Sequence, residues 1–313
     1  MRTRWRAAIA GSVAAAVVGG VAACGSGDQA GDQLTVVAGF YPLQFVAERI
    51  GGDHVRVTSL TQPGAEPHDL ELSPRQIAEL SAADLVLYLQ GFQPAVDEAV
   101  GQAGGRALDV ATLVPLLAAE DAHDHETGDA PGTDDDHDPT GVRDPHIWLD
   151  PTRLATVADT VAATLAELDP DEATGYQDRA AALRADLAAL DREYADGLRT
   201  CARREIVVSH AAFGYLADRY DLRQIPITGL SPDTEPTPGE LAAAVETASA
   251  VGATTIFFET LVSPDVARSV ADAIGADTAV LDPLEGLGPD ATGDYFSVMR
   301  DNLATLRSAL GCS

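Results

Sequence analysis

The chain has 313 residues, 46% of them hydrophobic, and carries a formal net charge of −29 at pH 7. That length accommodates two ordinary domains or one large one, and so acidic a surface repels phosphates, which excludes a nucleic-acid-binding role. Every basic side chain is an arginine, and no apolar run beyond the N-terminal segment is long enough to span a bilayer.

Residues 1–24 read as an export signal. Arg2, Arg4 and Arg6 make a positive n-region before the apolar stretch from Ile9 to Val21, which closes on Val21-Ala22-Ala23-Cys24. Small residues before a cysteine in this context look like a bacterial lipobox, predicting lipidation of Cys24 and anchoring to the outer face of the cell membrane. A plain secretory signal that ends near a cysteine is the alternative. Residues 25–33 then form a flexible tether.

From Leu34 the pattern alternates strand and helix. Leu34–Ala38 predicts a strand, Pro42–Ile50 a helix and His54–Leu60 a second strand, followed by a loop carrying Pro67-His68-Asp69. Ser73-Pro74 offers an N-cap with proline at the first helical position for a helix through Ala82. Asp84–Leu89 is an unbroken apolar run suited to a strand buried on both faces. A helix near Pro94–Gln102 and a strand near Arg106–Val110 complete one α/β unit. His54 begins a strand with no acidic or proline-fixed surroundings and reads as structural or surface.

Residues 118–141 interrupt the alternation. Asp121, His123, Asp124, His125, Glu126, Asp129, Asp134, Asp135, Asp136, His137 and Asp138 crowd a stretch with almost no apolar residues. Such a stretch cannot bury enough surface to fold, which predicts a mobile loop. His123, His125 and His137 among these carboxylates suit weak, transient cation binding; a merely solvated insertion is the alternative.

Next comes Asp144-Pro145-His146-Ile147-Trp148-Leu149-Asp150-Pro151. Each proline fixes its own φ and keeps the preceding residue out of the α region, so the backbone on both sides of His146 is stiff. Asp150 suits the N-cap of a helix over Pro151–Leu168. A histidine held this rigidly fits a metal ligand, a general base or a packing residue. Asp169-Pro170 restarts a helical pattern reaching about Arg199. Roughly thirty helical residues at 1.5 Å each give about 45 Å, enough for a rigid strut between two α/β halves (169–200 linking 34–168 to 201–313).

The second half repeats the alternation. Glu205–Ser209 predicts a strand ending at His210, with a helix from Ala211 to Tyr220. Further strands fall at Gln224–Thr228, Thr254–Phe258 (ending at Glu259) and Thr278–Leu281 (leading to Asp282 and Glu285). Thr237 and Glu240 have capping-box spacing, Ser263-Pro264 starts another helix, and Gly293–Leu310 reads as the last. Alternation of this kind predicts mostly parallel sheets with right-handed crossovers. Cys201 and Cys312, in an exported chain, predict one disulfide pinning the final helix; no other cysteine or paired histidine lies near either to favour metal ligation.

His68, His146 and His210 all sit just after predicted strands or at loop–helix junctions, where ligands gather in open α/β sheets. Three imidazoles with a carboxylate or water make a tetrahedral set suited to Zn²⁺, although their spacing carries no local metal signature. Together with the lipobox, the acidic histidine loop, Ser209-His210-Ala211-Ala212-Phe213-Gly214-Tyr215-Leu216 and Leu281-Asp282-Pro283-Leu284-Glu285-Gly286, these motifs closely resemble the zinc-binding subfamily of metal ABC-transporter solute-binding proteins, in order and over nearly the whole mature chain. The resemblance implies two mainly parallel-sheet α/β lobes joined by one long rigid helix, with the metal between them. Mapped residue by residue, it implies His68, His146 and His210 as ligands, with Glu285, or else Asp282 or a water, in fourth place. Glu259 falls near the site as a supporting rather than a ligating residue. It further implies a monomeric, lipid-anchored, extracytoplasmic receptor that carries Zn²⁺ as cargo to an ABC permease with its cytoplasmic ATPase. Manganese-type relatives place a glutamate where this chain has His210, and nitrogen-rich sites favour zinc over manganese. Two other classes stay open: a zinc hydrolase with Glu259 or Glu285 as base, which lacks a His-Glu-x-x-His helix and a nucleophile elbow, and a surface adhesin on the same fold.

Overall fold

Short apolar runs bounded by caps and turns become two four-stranded sheets of the same topology. A computed structural model describes residues 33–119, 141–232, 235–289 and 291–313; Cys24, His123, His125 and His137 lie outside the described residues. In the N-terminal lobe, β1 (Leu34–Ala38), β2 (Val55–Ser59), β3 (Leu85–Tyr88) and β4 (Ala107–Asp109) run parallel in the order β2-β1-β3-β4. Helices α1 (Tyr41–Gly51), α2 (Pro74–Ala82) and α3 (Pro94–Gln102) connect them. Then follow α4 (Pro151–Leu168) and α5 (Ala173–Leu198). In the C-terminal lobe β5 (Glu205–Val208), β6 (Arg223–Pro226), β7 (Thr255–Phe258) and β8 (Asp277–Val280) repeat the order as β6-β5-β7-β8, all parallel. Their connections are α6 (Gly214–Arg219), α7 (Pro238–Ala250) and α8 (Asp265–Ile274), and α9 (Tyr295–Leu310) ends the chain.

The caps follow from the sequence. Ser73 with Gln76, and Thr237 with Glu240, form complete capping boxes ahead of proline-led helices. Asp150 accepts from the Thr152 N–H to start α4, and Asp294 caps α9. Two helices fall well short of their predicted lengths. The long helix covers 26 residues, about 39 Å, because Pro170–Glu172 form a separate 3-10 turn before it. Helix α6 begins only at Gly214, because Ala211 donates to the Gly229 carbonyl and Phe213 to the Gln224 side chain, which removes both from the helix.

Helix α5 carries a stripe of buried residues, Tyr176, Ala180, Leu183, Leu187, Leu190, Tyr194 and Leu198. This stripe packs on α1 and α4 on one side and α9 on the other. One continuous apolar cluster therefore runs from Val36 and Leu87, through Leu183 and Leu190, to Val208, Phe257 and Leu306. The lobes are welded rather than hinged. Exposed ion pairs flank the strut, Arg49–Asp186 and Arg300–Glu193, each at 2.8 Å, and add little to that hydrophobic join. The Cys201–Cys312 disulfide clips the end of α9 to the exit of α5 across a separation of 111 residues. Among the described residues no helix is long and apolar enough to cross a membrane.

Candidate metal centre

Four loops at the carboxyl ends of strands meet where the two sheets face each other. The loop after β2 brings His68, and buried Gln93 holds it by donating to the Pro67 carbonyl (3.2 Å) and to Thr61 Oγ1 (3.0 Å). Gly39 makes room for this clamp, since a Cβ there would fall 2.6 Å from Gln93 Oε1. His146 sits where Pro145 and Pro151 confine the chain to a single 3-10 turn, Ile147–Leu149. His210 follows β5 through Ser209. Glu285 follows β8 through a loop in which Leu284 adopts φ +58°, a left-handed conformation uncommon for a bulky residue.

The three imidazoles converge on one oxygen. Glu285 Oε1 lies 3.3 Å from His68 Nε2, 3.0 Å from His146 Nε2 and 3.1 Å from His210 Nε2. Donor atoms of all four residues lie within 4.8 Å of one another. Metal–ligand bonds of about 2.0–2.1 Å in a tetrahedron set neighbouring donors about 3.3 Å apart, so the nitrogen–oxygen separations already approximate tetrahedral edges. Among the described residues Glu285 Oε2 is buried with no hydrogen-bond partner, an orphaned acceptor that a cation would satisfy. His146, His210 and Glu285 are at most 1% exposed, and the His68 side chain 9%, so water has little access to the donors.

The far ring nitrogens are fixed by carboxylates. His146 Nδ1 meets Asp144 Oδ1 at 2.7 Å, and the same oxygen accepts the His146 backbone N–H at 2.9 Å. His210 Nδ1 meets Glu259 Oε1 at 2.8 Å, where Ser209 Oγ also donates. These contacts select the tautomer that turns Nε2 inward and raise its basicity. Asp282 stands outside the cluster. Its carboxylate accepts from Leu284 N–H and Thr260 Oγ1, shaping the loop that presents Glu285. His54 is remote, half-exposed and near Glu172.

Burial alone would lower the His146 and His210 pKa values. Asp144 and Glu285 outweigh it at His146 and raise that ring; Glu259 and Glu285 raise His210 well above the usual histidine value. Burial likewise would raise Glu285, yet His210, His146 and His68 hold it well below the usual carboxylate range. The carboxylates therefore favour protons on the His146 and His210 rings, and the imidazoles favour negative charge on Glu285; a divalent cation would take the place of those protons. Aromatic rings wall it off. Phe92 lies 4.6 Å from His68 and Trp148 lies 5.2 Å from His146, centroid to centroid.

The family described as zinc-uptake complex component A, periplasmic (ZnuA), matches residues 36–309. The chain belongs to this family. It is 33% identical over 303 residues to the high-affinity zinc uptake system protein ZnuA of Bacillus subtilis (strain 168), covering 93% of each chain. It is also 33% identical over 295 residues to the zinc-binding lipoprotein AdcA of Streptococcus pneumoniae serotype 4 (strain ATCC BAA-334 / TIGR4), covering 91% of this chain but only 57% of that one, so it spans little more than half of AdcA. The crystal structure of the Zn(II)-bound ZnuA-like domain of Streptococcus pneumoniae AdcA superposes with a TM-score of 0.73 at 30% identity, covering 89% of this chain and 99% of that one. The two parallel-sheet lobes and long helix are thus the architecture this ZnuA-family chain shares with its solved relatives.

The supporting roles of several residues around the centre have no local sequence signature. Gln93, Tyr215 and Asn302 are buried side chains, two of them polar in otherwise apolar surroundings. Tyr215 donates to the Asp144 carbonyl at 2.7 Å, and Trp148 Nε1 to the Pro283 carbonyl at 2.7 Å. Asn302 stands out as a polar residue on the apolar stripe of α9.

Proposed function

We propose that this chain is the extracytoplasmic receptor that captures Zn²⁺ and delivers it to an ABC permease driven by a cytoplasmic ATPase. The observation that carries the reading is the meeting of three imidazole Nε2 atoms with Glu285 Oε1 in a buried, water-poor pocket. On this reading His68, His146, His210 and Glu285 are the zinc ligands, and Asp144 and Glu259 orient two of the rings. Three nitrogens and one oxygen favour Zn²⁺ over the harder Mn²⁺. A fourth protein donor also fills the position that a hydrolytic zinc site keeps open for water, which supports a binding role over catalysis.

Capture and release then work by loops. The apolar core shared by both lobes resists wide hinge closure, so the loop carrying His68 and the loop carrying Glu285 are the parts free to yield. They meet where the Gly64 N–H donates to the Leu287 carbonyl at 2.7 Å. Cys24 would anchor the receptor, a role supported by the residues around it and by the lipoprotein name of AdcA. The receptor acts as a monomer, with the linking segment 169–200 setting the distance between its lobes. Isothermal titration of metal-stripped protein with Zn²⁺ and with Mn²⁺ tests the reading. Zinc should bind with one-to-one stoichiometry at the central site and far more tightly than manganese, and His146→Ala should abolish that event. Tight zinc binding by His146→Ala would overturn the assignment.

A further inference from the structure

Helix α9 presents an apolar stripe to the core at Tyr295, Phe296, Met299, Leu303, Leu306 and Leu310, and one residue on that stripe is polar: Asn302, 3% exposed. A buried amide is costly unless both of its ends are satisfied. Asn302 satisfies both on a single residue. Its Oδ1 accepts the Asp282 N–H at 2.9 Å, and its Nδ2 donates to the Asp282 carbonyl at 2.7 Å. The side chain thereby mimics a strand neighbour and continues the pairing of β8 past its last residue.

Three further constraints act on the residues that follow. The Asp282 carboxylate accepts the Leu284 N–H, Trp148 Nε1 holds the Pro283 carbonyl, and Leu284 is kept at φ +58°. A left-handed bulky residue is strained and persists only where its surroundings over-determine it. Here the consequence of that backbone is the direction of the next side chain, Glu285. We propose that Asn302 is a positioning residue for zinc coordination: by gripping Asp282 on both sides it forces the left-handed turn that makes Glu285, rather than water, the fourth donor.

The proposal rests on the zinc-receptor reading and adds to it the origin of the closed coordination sphere. Without the grip, the turn relaxes, the carboxylate withdraws and a water completes a three-histidine site, the open arrangement of catalytic zinc. Such a site discriminates less against metals that accept more than four ligands. Both ends of the Asn302 amide bond the Asp282 backbone rather than a proposed ligand, so its effect is expected to pass through Glu285.

That dependence is what the experiment reads. Zinc affinity is measured for wild type, Asn302→Leu, Glu285→Ala and the double variant, and Co²⁺ is used as a visible probe of coordination. Expected for Asn302→Leu is a 10–100-fold loss of zinc affinity, the usual range when a supporting contact is removed, with a Co²⁺ spectrum shifted toward that of Glu285→Ala. In the Glu285→Ala background the same substitution should cost less than about twofold, because the interacting pair is already broken. An undiminished loss in that background would show a general packing role and overturn the proposal, as would wild-type affinity in Asn302→Leu. Should Asn302→Leu fail to fold, Asn302→Ala carries the same comparison. A wild-type protein that takes up neither Zn²⁺ nor Co²⁺ would instead sink the receptor reading itself, and the positioning role with it.

Discussion

Asp144→Asn isolates what one buried carboxylate contributes to one imidazole. Asp144 is 3% exposed, and a single oxygen, Oδ1, accepts both the backbone and the ring N–H of His146. Its backbone is held independently, since Tyr215 donates to its carbonyl and its own N–H donates to Leu117. Gly214 packs so closely that a Cβ there would lie 2.5 Å from Asp144 Oδ2. Asparagine fits the same space, so the variant keeps the shape and removes the charge. Loss of such a partner typically weakens metal binding 10–100-fold, or about 1.4–2.8 kcal/mol. A second effect opposes it. The same carboxylate raises the His146 pKa and so strengthens proton competition in the wild type. At about pH 8 the full deficit should appear, and near pH 6 it should narrow, because the variant loses less to protonation. Trp148 reports directly, its ring 5.2 Å from that of His146; in protein made without residues 1–24 it is the sole tryptophan, the other being Trp5. Competition against a chelator of known zinc affinity, followed by this fluorescence, gives the ratio at each pH. Affinity within twofold of wild type at pH 8, or a deficit that widens on acidification, would refute the reasoning.

The stabilisation that zinc confers should grow with pH. His146 and His210, with raised folded pKa values, stabilise the metal-stripped fold fully below their unfolded value of about 6.5 and lose that contribution as pH rises through the folded values. Glu285, with a lowered one, contributes fully above its unfolded value of about 4.3 and loses its share as pH falls through the folded value. Scanning calorimetry with and without zinc between about pH 5.5 and 8 should therefore show a widening gap in Tm. Replacing Cys201 and Cys312 by serine opens a 111-residue cross-link and should cost roughly 2–5 kcal/mol in denaturant titrations, with zinc affinity changed less than threefold. Replacing His123, His125 and His137 together should lower uptake at scarce zinc and leave the central site's affinity intact; unchanged uptake would remove any gathering role for that segment.

Local physics made much of this fold readable. Ser73-Pro74, Asp150-Pro151 and Thr237-Pro238 each begin a helix because a side-chain oxygen and a proline solve the same terminal problem, and no tertiary contact is needed to see it. The loop positions of His68, His146 and His210 could be read the same way, from strand ends. Their convergence could not, because 217 residues separate His68 from Glu285 and only sheet topology joins them. The prolines beside His146 stiffen the chain, but the ring is aimed by Asp144, whose role depends on a rotamer the sequence does not encode locally. The shortened α6 has the same origin: Ala211 and Phe213 have helical spacing, and contacts to Gly229 and Gln224 override it.

The apolar cluster that crosses from one sheet to the other has a consequence for how the molecule comes to exist. Because Val36, Leu187 and Leu306 belong to one cluster, neither half has a complete interior of its own. During synthesis the first sheet must wait, part of its apolar surface uncovered, until α5 and then α9 arrive. The Cys201–Cys312 bond joins the exit of α5 to the end of α9, the two helices that complete that shared interior. Unfolding should be all-or-none, with both sheets lost in a single calorimetric transition. Zinc bound where the two sheets meet would therefore secure parts of the chain far from any ligand.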